Sequence, residues 1–263
     1  MPSSSARSLA TGPISWPYLW LDATDLKQRE GGQIRTVAVI IAVAVNTEGK
    51  REIVGLHIGP SEAEIFWSTF LKSLLRRGLR GTRLVISDAH EGLKAAIRRV
   101  LGSTWLRCRV HWMRNAQAYV SKGQQNMVSA ALRQAFTQLD HQNATQTMRH
   151  VANQLRDKWP KLGAFIDDSK AEMLAYMNFP AQHRVKIHST DPIERLNNKV
   201  KRRADVVGIF PNEGAIVRLI GAVLLEANDE WQLQHRSMQT QAMAELTSTT
   251  IDVVPTQIAT IAA

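Results

Sequence analysis

The sequence predicts a layered α/β fold, with strands early in the chain and helices dominating its second half. Apolar runs rich in β-branched residues indicate the strands, and amphipathic patterns indicate the helices. Strand and helix patterns alternate between about residues 84 and 110, which is typical of α/β domains. The 263 residues, 44% of them hydrophobic, are enough to bury one large core.

The first elements follow from local patterns. Residues 1–17 hold three prolines and a serine cluster, and we expect an irregular leader there. A buried strand begins at Tyr18, and a second spans about 33–46. The turn-like stretch NTEGK separates the second strand from a third, REIVGLHIG. We expect these three strands to form an antiparallel meander.

Strand and helix patterns alternate after the meander. Ser61 and Glu64 fit a capping box that starts a helix ending near Gly78. The next elements are predicted to be a strand in RLVISDA, an amphipathic helix in HEGLKAAIRRVL and a strand in TWLRCRV.

The rest of the chain is patterned as helices, including a basic helix after STDP and another from Asn212 to about Arg236. The end of the chain is polar and weakly patterned. The predicted segments after the leader are the first part of the core at 18–112, a helical insertion at 113–188, the last core helices at 189–236 and a poorly ordered polar tail at 237–263.

Composition narrows the classes of function. The net charge of +10 and the pI of about 10.1 favour a polyanionic partner, with nucleic acid ahead of an anionic membrane surface. The longest apolar run, 37–45, is less than half of the roughly 20 residues that a membrane helix needs. A single cysteine excludes an intrachain disulfide, and the missing Gly-rich phosphate loop disfavours a nucleotide-driven motor. We therefore expect a cytoplasmic protein without a membrane partner.

Two aspartates follow apolar strands. Asp22 comes after YLWL and Asp88 after LVIS, so each is expected near a strand end. A carboxylate buried there without a partner costs several kcal/mol, so it must be exposed, hydrogen-bonded or bound to a cation. The simpler alternative is that each aspartate caps a turn or a helix.

A third acid, Glu194, lies in the basic helix STDPIERLNNKVKRR. Asp191 is expected to be the N-cap, in which case Glu194 is a capping-box residue at the third helical position. A helical wheel separates an apolar stripe of Ile193, Leu196 and Val200 from a polar side of Glu194, Asn197, Asn198 and Lys201. Five cations near Glu194 are candidate DNA-phosphate ligands: Arg195, Lys199, Lys201, Arg202 and Arg203. Three acids on separate elements suit paired Mg²⁺ or Mn²⁺ ions.

Five ordered blocks closely resemble the mutator-type insertion-sequence transposases of bacteria: YLWLDATDLKQREGG, LVISDAHEGLKAAI, RCRVHWMRN, STDPIERLNNKVKRRADVVGIFP and LLEANDEWQ. The resemblance covers about Tyr18 to Arg236. It implies a ribonuclease-H-like mixed sheet flanked by helices, with an all-helical insertion between the fifth strand and the helix that carries the third acid. It also implies that Asp22, Asp88 and Glu194 form a DDE triad.

Such a triad would hold two Mg²⁺ or Mn²⁺ ions for cleavage at element ends and strand transfer into double-stranded target DNA. The resemblance further implies assembly on DNA as a homodimer or larger, in the bacterial cytoplasm with the nucleoid. A nuclease without strand transfer and an inactive DNA-binding remnant are the alternatives.

Five further residues are candidates for the site or for packing around it. Cys108 and His111 match a Cys-x-x-His motif of the family that is expected to shape the site, whereas zinc is disfavoured because two ligands supply half of a tetrahedral shell. His90 either contacts phosphate or starts a helix. Trp112 and Trp159 either stack on bases or pack in the helical layer, and packing is favoured for both.

The chain departs from the family in three places. Members carry a further N-terminal region that recognises terminal inverted repeats, and nothing comparable precedes Tyr18, so we expect a truncated copy. Asp25 stands where tyrosine is usual, and it would disturb the site electrostatics if it faced Asp22. Asp191 stands where asparagine is usual.

Overall fold

A computed structural model describes residues 14–59, 64–233 and 236–248. Within these ranges, six strands form one mixed sheet. The strands are β1 (Tyr18–Glu30), β2 (Gln33–Val45), β3 (Arg51–Gly59), β4 (Leu84–Ser87), β5 (Thr104–Arg107) and β6 (Ile209–Phe210).

Helices surround the sheet. They are α1 (Glu64–Arg76), α2 (Glu91–Val100), α3 (Arg109–Gln117), α4 (Gln125–Phe136), α5 (His141–Arg156), α6 (Pro160–Leu174), α7 (Ala181–Ile187), α8 (Asp191–Val207), α9 (Glu213–Leu233) and α10 (Thr240–Ser248). Short 3₁₀ turns occur at Lys122–Gln124 and Ala175–Asn178. No helix in the described ranges is long and apolar enough to cross a bilayer.

The strand order is β3-β2-β1-β4-β5, with β6 added beside β1. The first three strands are antiparallel, which confirms the predicted meander. Gly31 and Gly32 both have positive φ angles, 56° and 81°, and form the two-residue turn between β1 and β2. β4 pairs in parallel with β1 and with β5, so the sheet is mixed, and the fold class is α/β.

The alternation of side chains along β1 assigns its residues to two layers. Leu19 and Leu21 pack with the buried residues of α1 and α2 on one face of the sheet. Tyr18 and Trp20 pack on the other face, in the core that includes α3 to α10. Asp22 is two residues beyond Trp20 and therefore points toward this second, helix-rich layer.

Only helices and 3₁₀ turns lie between β5 and α8, in agreement with the predicted helical segment. Helix α3 begins at Arg109, so the predicted strand TWLRCRV ends at Arg107 and the helical part starts four residues early. The backbone N–H of Cys108 bonds to the Ser87 carbonyl (2.8 Å), which completes the edge of the sheet before the chain turns into α3. The description of this segment as an insertion stays a prediction.

The structure corrects the predicted leader. Trp16 is 2% exposed, and its backbone N–H bonds to the Arg80 carbonyl (2.7 Å). Ser15 accepts a backbone hydrogen bond from Thr47 (3.0 Å). The packed fold therefore begins before Tyr18, whereas residues 1–13 of the leader lie outside the described residues.

The structure also corrects the predicted polar tail. α10 lies within it, and Met238, Met243 and Leu246 are buried in the helix-rich core. The first part of the tail is therefore a packed element, because its few apolar residues lie on one face of a short helix. Residues 249–263 lie outside the described residues, as do Ser61 of the predicted capping box and residues 234–235.

Candidate active site

Asp22 lies two residues beyond the point where β1 stops pairing with β4. The prediction that Asp22 ends its strand is wrong, because β1 runs on to Glu30. However, β1 pairs with β4 only as far as Trp20 opposite Ile86. The same offset, continued two residues further, places Asp22 level with Asp88, just past the end of β4. Both carboxylates are therefore presented at the carboxyl end of a parallel strand pair.

The Asp22 carboxylate is largely buried. It accepts hydrogen bonds from the Ala23 backbone N–H (3.0 Å) and from the side-chain amide of Asn197 on α8. Burial raises the pKa of Asp22 to about 6, and the nearby charge of Asp88 adds to this, although the two hydrogen bonds and the charge of His111 oppose it. The site thus holds a carboxylate whose negative charge is incompletely compensated by protein groups.

Asp88 follows β4 directly, and its Oδ1 accepts the Ala89 backbone N–H (2.7 Å). His90 is the N-cap of α2, and its Nδ1 accepts the Leu93 backbone N–H (3.3 Å). Of the two roles considered for His90, the structure supports the helix start.

Glu194 reaches the same region from the first turn of α8. The expected N-cap role of Asp191 is wrong, because Thr190 is the N-cap and Asp191 is the first helical residue. The Thr190 hydroxyl lies 3.4 Å from Oε1 of Glu194, as a donor to it. Nε2 of His111 lies 3.7 Å from the same oxygen. Glu194 is therefore held by α3 as well as by its own helix.

Cys108 and His111 lie between the acids. Cys108 is fully buried, and its sulfur lies 3.1 Å from the Thr190 hydroxyl and accepts the Thr190 backbone N–H (3.4 Å). A hydrogen bond to Cys108 raises the pKa of His111 to about 9, against the effect of burial and with help from Asp88 and Glu194. Burial raises the pKa of Cys108, but hydrogen bonds with His111 and Thr190 outweigh it and leave that pKa lowered.

The apolar stripe predicted on α8 is confirmed, since Ile193, Leu196 and Val200 are buried. The polar side is divided, because Asn197 is only 5% exposed and contacts Asp22 whereas Asn198 is exposed. The helical wheel correctly assigned Asn197 to the polar side of the helix, but it did not predict the hydrogen bond to Asp22. Its position three residues after Glu194, on the same side of the helix, was the available signal.

The five predicted DNA-binding cations differ in their exposure and in their partners. Lys201, Arg202 and Arg203 are exposed on the last turns of α8. Lys199 instead pairs with Glu226 (3.3 Å) and Glu230 (3.6 Å) of α9. A cavity of about 560 Å³ between α7, α8 and α9 is lined by residues that include Arg51, Lys186, Arg195, Lys199 and Trp231.

Asp25 does not share the site. It is exposed and lies three residues after Asp22, so strand alternation points it to the opposite face of β1. The disturbance expected from a further carboxylate beside Asp22 therefore does not arise.

Both tryptophans considered for base stacking belong to the helical layer. Trp112 is fully buried, stacks against Phe165 (5.6 Å between ring centroids) and donates its indole N–H to Ser169 (2.6 Å). Trp159 is half-buried at the start of α6, where its ring contacts Lys158.

Proteins of known family match most of the length of this chain. A protein family described as "Transposase, Mutator family" matches residues 4–234. The chain is 41% identical over 248 residues to the transposase for insertion sequence element IS1081 of Mycobacterium tuberculosis, covering 92% of this chain and 59% of that protein. It is 39% identical over 239 residues to the IS406 transposase of Burkholderia multivorans, covering 87% and 62%.

The transposase for IS256 in transposon Tn4001 of Staphylococcus aureus is 37% identical over 220 residues, covering 82% of this chain and 56% of that protein. The chain thus spans about six tenths of the length of these relatives. The catalytic core domain of BIV integrase aligns with 60% of this chain and 84% of that structure, at 13% identity and a TM-score of 0.24, which is too low for an inference about this chain. By the extent of the family match and the identity to these relatives, the chain belongs to the mutator family of transposases.

Proposed function

We propose that this chain carries the catalytic core of a DDE transposase, which cleaves DNA strands at insertion-element ends and joins them to target DNA. Asp22, Asp88 and Glu194 are the proposed catalytic and metal-binding residues. The observation that carries the proposal is their convergence from β1, the end of β4 and the first turn of α8. The strand order, with an antiparallel meander extended by parallel strands, supports a ribonuclease-H-like core.

The donor set fits hard divalent cations. Carboxylate oxygens are the ligands that Mg²⁺ and Mn²⁺ prefer. The raised pKa of Asp22 reflects a buried charge that a cation would stabilise. The Oδ1 atom of Asn197, beside Asp22, is buried and has no hydrogen-bond partner among the described residues. Two such ions, when bound, would activate the attacking oxygen and stabilise the leaving oxygen of an in-line displacement.

The chain's own residues position these carboxylates. Asn197 orients Asp22 through its amide, and Thr190 and His111 orient Glu194. The charged form of His111 is also stabilised by the negative charges of both Asp88 and Glu194. The same carboxylates would serve hydrolysis and strand transfer, because both are displacements at a DNA phosphate that differ in the attacking hydroxyl.

We propose that cations outside the metal centre hold the DNA backbone. The helix that carries Glu194 also carries Lys201, Arg202 and Arg203, whose side chains are exposed and can contact DNA phosphates. A net charge of +10 supports a polyanion as partner. Assembly as a homodimer or larger on paired element ends, in the bacterial cytoplasm with the nucleoid, completes the proposal.

The test is an end-joining assay. The purified chain is incubated with pre-nicked element ends and plasmid target in Mg²⁺, Mn²⁺ or EDTA, alongside Asp22→Asn, Asp88→Asn and Glu194→Gln. We expect metal-dependent joining that falls by about 100-fold or more in each variant. Asp25→Asn, on the opposite face of β1, is the matched control and should retain joining.

The outcomes separate three functions. Cleavage without joining would favour a nuclease, and DNA binding without either reaction would favour an inactive remnant. Because relatives are longer than this chain, the assay is repeated with the N-terminal region of a full-length relative attached. Joining that persists in all three acid variants would overturn the proposed triad.

A further inference from the structure

The Cys-x-x-His pair acquires a third neighbour in the folded chain. The sulfur of Cys108, a ring nitrogen of His111 and a carboxylate oxygen of Glu194 all lie within 4.8 Å of one another. Cys108 precedes α3 and His111 lies in its first turn, so the two side chains share one side of the helix. Glu194 comes from α8, more than 80 residues later. The sequence motif contains two ligands of a four-ligand tetrahedral shell, and the fold brings Glu194 close enough to be a third.

We propose that Cys108, His111 and Glu194 form a site for a thiophilic divalent cation of the Zn²⁺ type, with water in the fourth position. Three protein ligands and an open position are a common zinc arrangement. Nε2 of His111 and Oε1 of Glu194 are already 3.7 Å apart. Metal–ligand bonds of about 2.0 to 2.3 Å set tetrahedral donors about 3.3 to 3.5 Å apart, so a pair of donors at the 4.8 Å limit must move closer by about 1.3 Å.

The surroundings suit such an ion. Both the Thr190 hydroxyl and the Thr190 backbone N–H lie within hydrogen-bond distance of the Cys108 sulfur, which fixes its position. His111 and Glu194 are 20% and 31% exposed, so an ion can enter from their side. On binding, the thiol and imidazolium protons pass to solvent, and the thiolate becomes a ligand.

Occupancy of this site has a consequence that rests on the proposed function. Glu194 cannot serve a thiolate-bound ion and the Asp22–Asp88 centre with the same geometry. Mg²⁺ does not favour sulfur ligands, whereas Zn²⁺ does. A zinc-type ion would therefore withdraw Glu194 from the centre that performs DNA chemistry and act as an inhibitor.

Metal binding is tested by spectroscopy, which needs no enzymatic activity. The chain has one cysteine, so a sulfur-to-cobalt charge-transfer band on addition of Co²⁺ can arise only from Cys108. We expect this band at one equivalent of Co²⁺, with a phosphine as reductant, and its displacement by Zn²⁺. The band should be absent in Cys108→Ser.

Zn²⁺ affinity is then measured by competition with Co²⁺ for the other two ligands. His111→Asn and Glu194→Gln should each weaken Zn²⁺ binding by about tenfold or more, because loss of an outer-sphere partner alone costs 10- to 100-fold. His150→Gln, at an exposed position of α5, is the matched control and should bind as the parent does. Glu194→Gln, at a half-exposed position, keeps the test decisive if Cys108→Ser unfolds.

Absence of the charge-transfer band in the folded parent chain, or equal Zn²⁺ affinity in the parent and Glu194→Gln, would overturn the site. The inhibitory consequence is tested by titrating Zn²⁺ into the Mg²⁺-dependent joining reaction. Each variant is compared with its own zinc-free rate, and Cys108→Ser should need at least about tenfold more Zn²⁺ for half inhibition. Zinc binding without inhibition would overturn the consequence alone. A parent chain with no joining activity would contradict the proposed function while the cobalt spectrum still decides the site.

Discussion

The side-chain amide of Asn197 donates a hydrogen bond to Oδ2 of Asp22, across 175 residues of sequence. It joins α8 to β1 at the point where β4 has ended. Since Asn197 lies three residues after Glu194, this bond and the buried apolar stripe of α8 together set which side of the helix faces β1. The relative placement of Asp22 and Glu194 therefore depends on a residue that is neither acid.

Asn197→Ala is expected to weaken the metal centre. Without the amide, Asp22 loses a hydrogen-bond donor and α8 loses one of its contacts with β1, so the Mg²⁺ concentration for half-maximal joining should rise by about tenfold or more. The metal dependence of joining measures this. Asn198→Ala, at the exposed neighbouring position, is the control. An unchanged Mg²⁺ requirement in Asn197→Ala would show that Asp22 is positioned by its strand alone.

Asp22→Asn is expected to stabilise the metal-free protein above pH 6. The pKa of Asp22 is raised from 3.8 to about 6, so folding favours the protonated carboxyl. That contribution is fully present below the unfolded pKa and is lost as pH rises through about 6, whereas asparagine stays neutral. The free energy of unfolding should increase by about 1 to 3 kcal/mol at about pH 8, with the difference shrinking toward about pH 4.

Urea unfolding across this pH range, with and without Mg²⁺, measures the effect. Mg²⁺ should stabilise the parent chain and have little effect on Asp22→Asn, because a ligand stabilises the state that binds it. Asp25→Asn should change stability by less than about 0.5 kcal/mol. A destabilised Asp22→Asn at about pH 8 would contradict the buried, undercompensated charge.

The cations of α8 are expected to contribute unequally to DNA binding. Replacing Lys201, Arg202 and Arg203 together by glutamine should weaken binding and lower the salt dependence of the affinity, by up to about 0.9 per phosphate contact in logarithmic slope. Lys199→Gln should have a smaller effect, because its ammonium pairs with two glutamates of α9. Binding isotherms at several salt concentrations test this, and a larger effect for Lys199→Gln would reverse the assignment.

Trp112→Phe is expected to destabilise the fold without a direct effect on DNA affinity. The substitution removes the indole N–H that Ser169 accepts and leaves a smaller ring against Phe165. A loss of about 1 to 3 kcal/mol follows from the lost hydrogen bond and the lost packing, although the Ser169 hydroxyl still donates to the Phe165 carbonyl. Urea unfolding and DNA binding are measured on the same variants. Trp159→Phe is the comparison, and it should lose less stability because Trp159 is only half-buried. Weaker DNA binding with unchanged stability would favour base stacking instead.

The local sequence was sufficient to predict those elements that form for reasons visible in their own residues. The meander follows from three apolar strands and from Gly31 and Gly32, which permit the tight turn. The buried stripe of α8 follows from the spacing of Ile193, Leu196 and Val200. The predictions were wrong for short elements whose conformation depends on packing. Strand β5 ends at Arg107 and α3 begins at Arg109, although the apolar pattern continues to Val110. Burial of Met243 in the helix-rich core accompanies a helix in the predicted polar tail.

The sequence by itself determined which residues are available for chemistry: two aspartates after apolar runs, a glutamate on a basic helix, and a Cys-x-x-His pair. Tertiary structure decided which of them meet. The parallel register of β1 and β4 brings Asp22 level with Asp88. The packing of α8 places Asn197 against Asp22 and Glu194 beside His111. These contacts join residues far apart in sequence, and their geometry depends on packing that no local periodicity encodes.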